Sequence, residues 1–224
     1  MPATPPRSIV FTLRVATACV CLLPALWLRL RVTRDQATAF ALVRDATRAA
    51  LRLGGVRVDV RDLHHLPSGT HAMIVSNHVS LADAAILLAA LPLDCRFVAN
   101  HVFAGYPLLG AAIRAASANI VDRGSWRSRA DSAQAMVDGL ASGQSLLVFP
   151  EGTTSDGPML RFRSGAFRAA AKTGRPVIPV ALRGTREMLP NNTYRLANVP
   201  IEIVMLPAIE PTGSTREEVA ALSD

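Results

Sequence analysis

Residues 73–83 read MIVSNHVSLAD, an apolar run that ends in Asn77 and His78 and continues to Asp83. A neutral imidazole can take a proton from a hydroxyl near pH 7, and a carboxylate on its other nitrogen fixes the tautomer that does so. On one continuous helix the five-residue step from His78 to Asp83 separates the side chains by about 140°. The pair can therefore meet only if His78 lies in a turn before the helix and the first helical turn brings Asp83 back to it. Ser80 and Asp83 also form an S-x-x-D pattern, which gives the carboxylate a second reading as a cap for a backbone N–H.

A second segment, 146–157, reads LLVFPEGTTSDG: an apolar strand that breaks at Pro150 into Glu151, Gly152, Thr153 and Thr154. Glycine admits close backbone approach, and hydroxyls with exposed N–H groups bind phosphate or hydroxyl oxygens. Between the two segments, residues 119–124 read NIVDRG and would deliver Arg123 to the end of another strand. A guanidinium holds phosphate bidentately. Equally, Arg123 can pair with Asp122 or Glu151, and the Pro-Glu-Gly turn can be only a turn.

Other chemistries lack their residues. There is no G-x-S-x-G elbow, no Walker A loop and no G-x-G-x-x-G fingerprint, so serine hydrolase, nucleotide and dinucleotide sites are not expected. His64, His65 and His71 have no Cys or carboxylate at ligand spacing, and no metal is expected. Cys19, Cys21 and Cys95 form neither a disulfide framework nor a zinc pattern, and fit a reducing compartment.

The elements that must position these residues follow from periodicity. Short apolar strands are expected near 56–62, 72–76, 95–99, 119–122, 145–149, 177–182 and 201–206. Helices are expected near 81–91, 107–116, 127–141 and 165–173. The alternation predicts an α/β fold with a mainly parallel central sheet of about seven strands covered by helices. Polar residues at the carboxyl ends of such strands line the ligand crevice. Residues 211–224 read as a polar tail ending in a short helix.

The composition shifts at Gly54 and Gly55, which divides the chain into residues 1–54, an N-terminal membrane-associated helical region, and 55–224, the α/β domain. Residues 15–28 are apolar apart from Thr17 and are bounded by arginines. Such a run spans about 21 Å, short of the ~30 Å hydrocarbon core, and is expected to embed rather than cross. A kinked crossing over 9–30 is the alternative. No small-residue cleavage site precedes the arginine cluster, so a cleaved signal is not expected. A second helix over 35–53 carries Arg44, Arg48 and Arg52 as one basic stripe, facing either anionic headgroups or water. Half of the 224 residues are hydrophobic and mean hydropathy is positive, enough for a large core and some lipid-facing surface. The net charge is +7, from 24 basic residues that are all arginine except Lys172. Nucleic acid, anionic headgroups and phosphorylated substrates are all compatible with that charge.

Four ordered blocks now stand together: NHVSLAD with His78 and Asp83, NIVDR ending in Arg123, FPEGTTSDG around Glu151 and Gly152, and VIPVAL with Pro179. Over residues 55–211 this set resembles the glycerophospholipid acyltransferase family, especially bacterial 1-acyl-sn-glycerol-3-phosphate acyltransferases. The resemblance implies acyl transfer from a thioester, acyl-CoA or acyl carrier protein, to a lysophospholipid hydroxyl, with no resident cofactor and no metal. It implies His78 as base, Asp83 as its partner, and Arg123 with Glu151, Gly152, Thr153 and Thr154 as the acceptor's binding residues. It also implies an N-terminal membrane-binding helical motif on an anionic membrane surface, at the cytoplasmic face of the inner membrane, and no nucleic-acid partner. Three positions depart from the family pattern. Thr154 stands where arginine commonly follows E-G-T, Asn100 where a basic residue follows F-V-A, and Ser117 where the second block usually has glycine. Either Arg161, Arg163 or Arg168 replaces the missing phosphate contact, or the acceptor is another lyso-lipid such as lyso-ornithine lipid. A non-enzymatic basic lipid-binding protein is the reading from a different class.

Overall fold

The computed structural model describes residues 6–66, 69, 71–92, 94–100, 109–121, 126–191 and 193–223. Arg123 falls outside the described residues, as do the first two positions of the helix expected from 107. The apolar runs form strands β1 (Val58–Arg61), β2 (Met73–Ser76), β3 (Cys95–Asn100), β4 (Ser117–Val121), β5 (Ser145–Val148), β6 (Val177–Arg183) and β7 (Ile201–Met205). They make one sheet in the order β1-β7-β6-β2-β5-β3-β4. β6, β2, β5, β3 and β4 pair in parallel; β7 is antiparallel to β6, and β1 is parallel to β7. A mainly parallel sheet is therefore present, with a reversed pair at one side. Strand periodicity reports faces, not direction, so that reversal was not legible in the sequence.

β2 and β5 lack in/out alternation because helices cover both faces. All four residues of β2 are buried, and Met73, Ile74, Leu146, Leu147, Val177 and Ile178 are fully so. The helices are α1 (Ile9–Val32), α2 (Gln36–Gly54), α3 (Asp83–Ala90), α4 (Leu109–Ala116), α5 (Trp126–Ala141), α6 (Gly165–Thr173), α7 (Thr185–Met188) and α8 (Arg216–Ala221). The short helix expected at the end of the tail is α8, fixed by a capping box between Thr215 and Glu218, and Val219 and Leu222 are buried in the cluster that contains α6.

α1 is longer than the apolar run that suggested it, continuing through Pro24 for 24 residues. By length and composition it is able to cross a membrane. It lies, however, against the rest of the protein. Phe11, Ala18 and Leu26 are buried along one side, while Ile9, Val10, Leu13, Val20, Leu28 and Val32 are exposed. The Arg14 guanidinium donates to Leu53 O at 2.6 Å, where α2 ends, and Leu196 N donates to Thr12 Oγ1 at 2.8 Å.

The expected basic stripe on α2 is divided. Arg48 Nε donates to Ala89 O at 2.6 Å, Arg44 lies beside the Phe40 ring, and Arg52 is exposed. Arg96, buried over Phe40, donates to Ala115 O at 2.8 Å. Thus Arg14, Arg48 and Arg96 each satisfy a carbonyl in the last turn of a helix, which also suits the negative end of the helix dipole. Part of the arginine excess is structural.

Candidate active site

β2 and β5 are parallel neighbours in a register that sets Val75 opposite Val148. Extending that register past both strand ends brings His78 level with Glu151. The contact exists: the His78 N–H donates to Glu151 Oε1 at 2.7 Å. The other oxygen, Oε2, accepts from Leu160 N at 2.7 Å. Glu151 is 3% exposed, so its charge is used inside the protein to join the histidine turn to residues 151–160.

His78 leaves the sheet because Asn77 ends the pairing of β2 with β6 by side chain instead of backbone. Asn77 Nδ2 donates to Leu182 O at 2.9 Å and its Oδ1 accepts from Leu182 N at 2.8 Å. The amide takes the place of one more peptide unit, and the chain is free to turn. His78 then stacks on Phe149, with ring centroids 4.1 Å apart and planes 15° apart.

The imidazole meets Asp83 as the turn-before-helix geometry requires. His78 Nδ1 lies 2.9 Å from Asp83 Oδ2. The same oxygen accepts from Val79 N at 2.7 Å and Ser80 N at 2.9 Å. Both readings of Asp83 thus hold at once, since the carboxylate ties down the turn and orients the ring. An oxygen that already takes two backbone donors only accepts, so Nδ1 carries its proton and Nε2 keeps a free lone pair. Asp83 is fully buried and the His78 side chain is 19% exposed, which leaves the ring reachable by a hydroxyl. Asp83 Oδ1 is buried without a partner among the described residues. Ser80 Oγ donates to Leu189 O at 2.7 Å, anchoring the turn to the segment after α7.

The remaining expected residues lie on the 151–160 segment. Gly152 has φ of 80°, and a Cβ there would come within 2.6 Å of Arg163 Nε. Only glycine suits both conditions. The Arg163 side chain therefore covers this turn, and Arg163 is exposed. Thr153 is exposed and Thr154 half-exposed. Arg186 holds the next stretch, donating to Ser155 O at 3.0 Å and Gly157 O at 2.9 Å, and Asn191 Nδ2 donates to Asp156 Oδ1 at 2.8 Å. The bracing roles of Phe149, Arg186 and the Leu160 N–H had no sequence signal, because each depends on a partner in a distant segment. Among the described residues no group of His, Cys, Asp and Glu could hold a metal ion.

A histidine poised on a buried carboxylate at the carboxyl edge of an α/β sheet occurs in several reaction classes. Residues 57–183 match the family model described as Acyltransferase. The chain belongs to the acyltransferase family. Among its relatives is 1-acyl-sn-glycerol-3-phosphate acyltransferase alpha of Homo sapiens, 31% identical over 77% of this chain and 62% of the relative. The chloroplastic 1-acyl-sn-glycerol-3-phosphate acyltransferase BAT2 of Brassica napus is 35% identical over 63% of this chain and 42% of its own. The matches thus cover less than two thirds of these relatives' lengths. The 1-acyl-sn-glycerol-3-phosphate acyltransferase of Borreliella burgdorferi is 25% identical over 77% of this chain and 69% of its own. The fold resembles the crystal structure of the 1-acyl-sn-glycerophosphate acyltransferase PlsC from Thermotoga maritima, with a TM-score of 0.76 at 24% identity, covering 96% and 92% of the two chains.

Proposed function

We propose that this acyltransferase moves a fatty acyl group from a thioester donor, acyl-CoA or acyl carrier protein, to the free hydroxyl of 1-acyl-sn-glycerol-3-phosphate, giving phosphatidic acid. The observation that carries the proposal is the His78–Asp83 pair, with Nδ1 committed to a buried carboxylate and the imidazole side chain still partly exposed. The relatives' names support the choice of acceptor.

His78 Nε2 takes the proton of the acceptor hydroxyl as its oxygen attacks the thioester carbonyl carbon. A tetrahedral adduct forms, and Asp83 stabilises the imidazolium. Collapse of the adduct breaks the carbon–sulfur bond, and the imidazolium returns the proton to the departing thiolate. Neither an acyl-enzyme nor a resident cofactor is required. General-base action of this kind contributes roughly 10²–10⁴-fold. Arg123, Gly152, Thr153 and Thr154 are assigned to the acceptor, and Arg163, whose side chain covers Gly152, takes the place of the arginine that Thr154 replaces. Glu151 acts through His78.

Membrane association is supported by α1, whose exposed residues between Arg14 and Arg29 are apolar apart from Thr17. Because the opposite side rests on α2 and the Leu196 segment, α1 is assigned to the cytoplasmic leaflet of the inner membrane, lying in the interface instead of crossing it. The acceptor and its acyl chain would then arrive from the bilayer.

The test compares wild type with His78→Ala on vesicle-borne acceptors. Wild type should acylate lysophosphatidic acid, and the variant should lose turnover while keeping vesicle binding. A preference for lyso-ornithine lipid would transfer the assignment to that acceptor. Equal turnover by His78→Ala would end the proposal.

A further inference from the structure

A cavity of about 730 Å³ lies between residues 159–164, α6 and α8; its lining holds none of the residues that the proposed function assigns, and includes Arg161 and Arg168, the two alternatives to Arg163 weighed from the sequence for the acceptor phosphate. Arg161, Arg168 and Arg216 line it. All three are exposed, and none forms an ion pair among the described residues. Its apolar lining is Met159, Leu160 and Phe162 on one side and Val219 on α8. Met159 is 63% exposed and Leu160 39%, so both present apolar surface to the cavity. At one end the cavity is tied to the catalytic turn, because Leu160 N and His78 N donate to the two oxygens of one carboxylate, Glu151.

From this arrangement we infer that the cavity seats the phosphorylated nucleotide end of an acyl-CoA donor. Three unpaired guanidiniums in one concavity ask for a ligand with several phosphate charges, and arginine is the side chain that holds phosphate by paired N–H bonds. A lysophosphatidic acid headgroup has one phosphate, and Arg163, which is outside this lining, already covers the turn next to His78. The apolar wall suits a purine and the hydrocarbon of the pantetheine arm. A concave volume in the range of small-molecule sites suits a nucleotide. The inference rests on the thioester-dependent reading above and supplies its donor.

Two measurements on the full-length protein test it. In the first, adenosine 3′,5′-bisphosphate is titrated calorimetrically into wild type, His78→Ala, Arg161→Glu, Arg216→Glu and the control Arg195→Glu. Wild type, His78→Ala and the control should bind, and the two cavity variants should bind at least about ten-fold more weakly. In the second, steady-state kinetics of the cavity variants should show KM for acyl-CoA raised about ten-fold or more, with kcat and KM for the acceptor within about two-fold of wild type. Arg161 and Arg216 sit on different elements, so misfolding of one variant leaves the other informative. The inference is overturned if wild type does not bind the bisphosphate, if both cavity variants bind it as well as wild type does, or if the acceptor KM is the one that moves. It is likewise overturned if acyl carrier protein turnover falls while acyl-CoA turnover is unchanged. If wild type acylates no lyso-lipid, the functional reading fails separately, and the titration still decides the cavity.

Discussion

Replacing Glu151 by Gln separates holding the histidine from holding the acceptor. Both carboxylate oxygens accept backbone N–H groups at 2.7 Å, one from His78 and one from Leu160. Glutamine offers one acceptor oxygen, and its NH2 must face the other N–H, donor against donor. One charge-assisted bond is lost and a buried donor is left unsatisfied, at a cost of about 1.5–3 kcal/mol. If that cost falls on the placement of His78, kcat should drop roughly 10- to 150-fold, since about 1.4 kcal/mol is a factor of ten. If it falls on the fold, the melting temperature should drop by about 3–12 °C for a chain of this length. Acyl-transfer kinetics and thermal unfolding together give the partition. KM for the acceptor should stay within about two-fold, because the carboxylate works through the protein's own N–H groups. A several-fold rise in acceptor KM with kcat and melting temperature unchanged would refute the reasoning, and would return Glu151 to direct contact with the acceptor.

Asp83→Asn keeps an oxygen for Val79 N, Ser80 N and His78 Nδ1 but removes the charge that balances the imidazolium, so kcat should fall about 10²–10⁴-fold with the protein still folded. An unfolded variant, by circular dichroism, would instead assign Asp83 a mainly structural role. Asn77→Ala strips Leu182 of both hydrogen bonds, and a loss of about 2 kcal/mol or more in denaturant unfolding is expected; no change would mean that backbone or water replaces the amide. Burial pushes the Cys95 thiol up to about 12, so at pH 8 a thiol reagent should label exposed Cys21 in the native protein and reach Cys95 only on unfolding. Hydrogen bonding to Thr38 holds the Asp35 carboxyl below its ordinary value. Its stabilisation of α2 is therefore present above the unfolded pKa and is lost as pH falls through the folded one. The melting temperatures of wild type and Asp35→Ala should differ at pH 7 and converge in acid.

Local pattern was enough for much of this. Runs such as 73–76 and 145–148 bury every or nearly every residue, and a run of that kind between glycines and prolines can only be an inner strand. The spacing of His78 and Asp83, with Ser80 between them, required a turn before a helix, and that turn is what the chain forms. Other features depend on which strands lie side by side. The reversal is made where β7 pairs antiparallel with β6, and β1 then joins β7 in parallel from more than 130 residues away. Glu151 reads in sequence as a charge at a turn, able to meet an acceptor. Only the register of β2 against β5, 73 residues away, reveals that it faces His78 N and Leu160 N. The length of α1, the inward turn of Arg48 and the arginine-lined cavity under α8 are likewise products of packing. Side-chain type and spacing fix which chemistry is available along the chain, because they act within a turn or a strand. Which groups face one another is decided by strand order and register, and those are set by burial across the whole sheet.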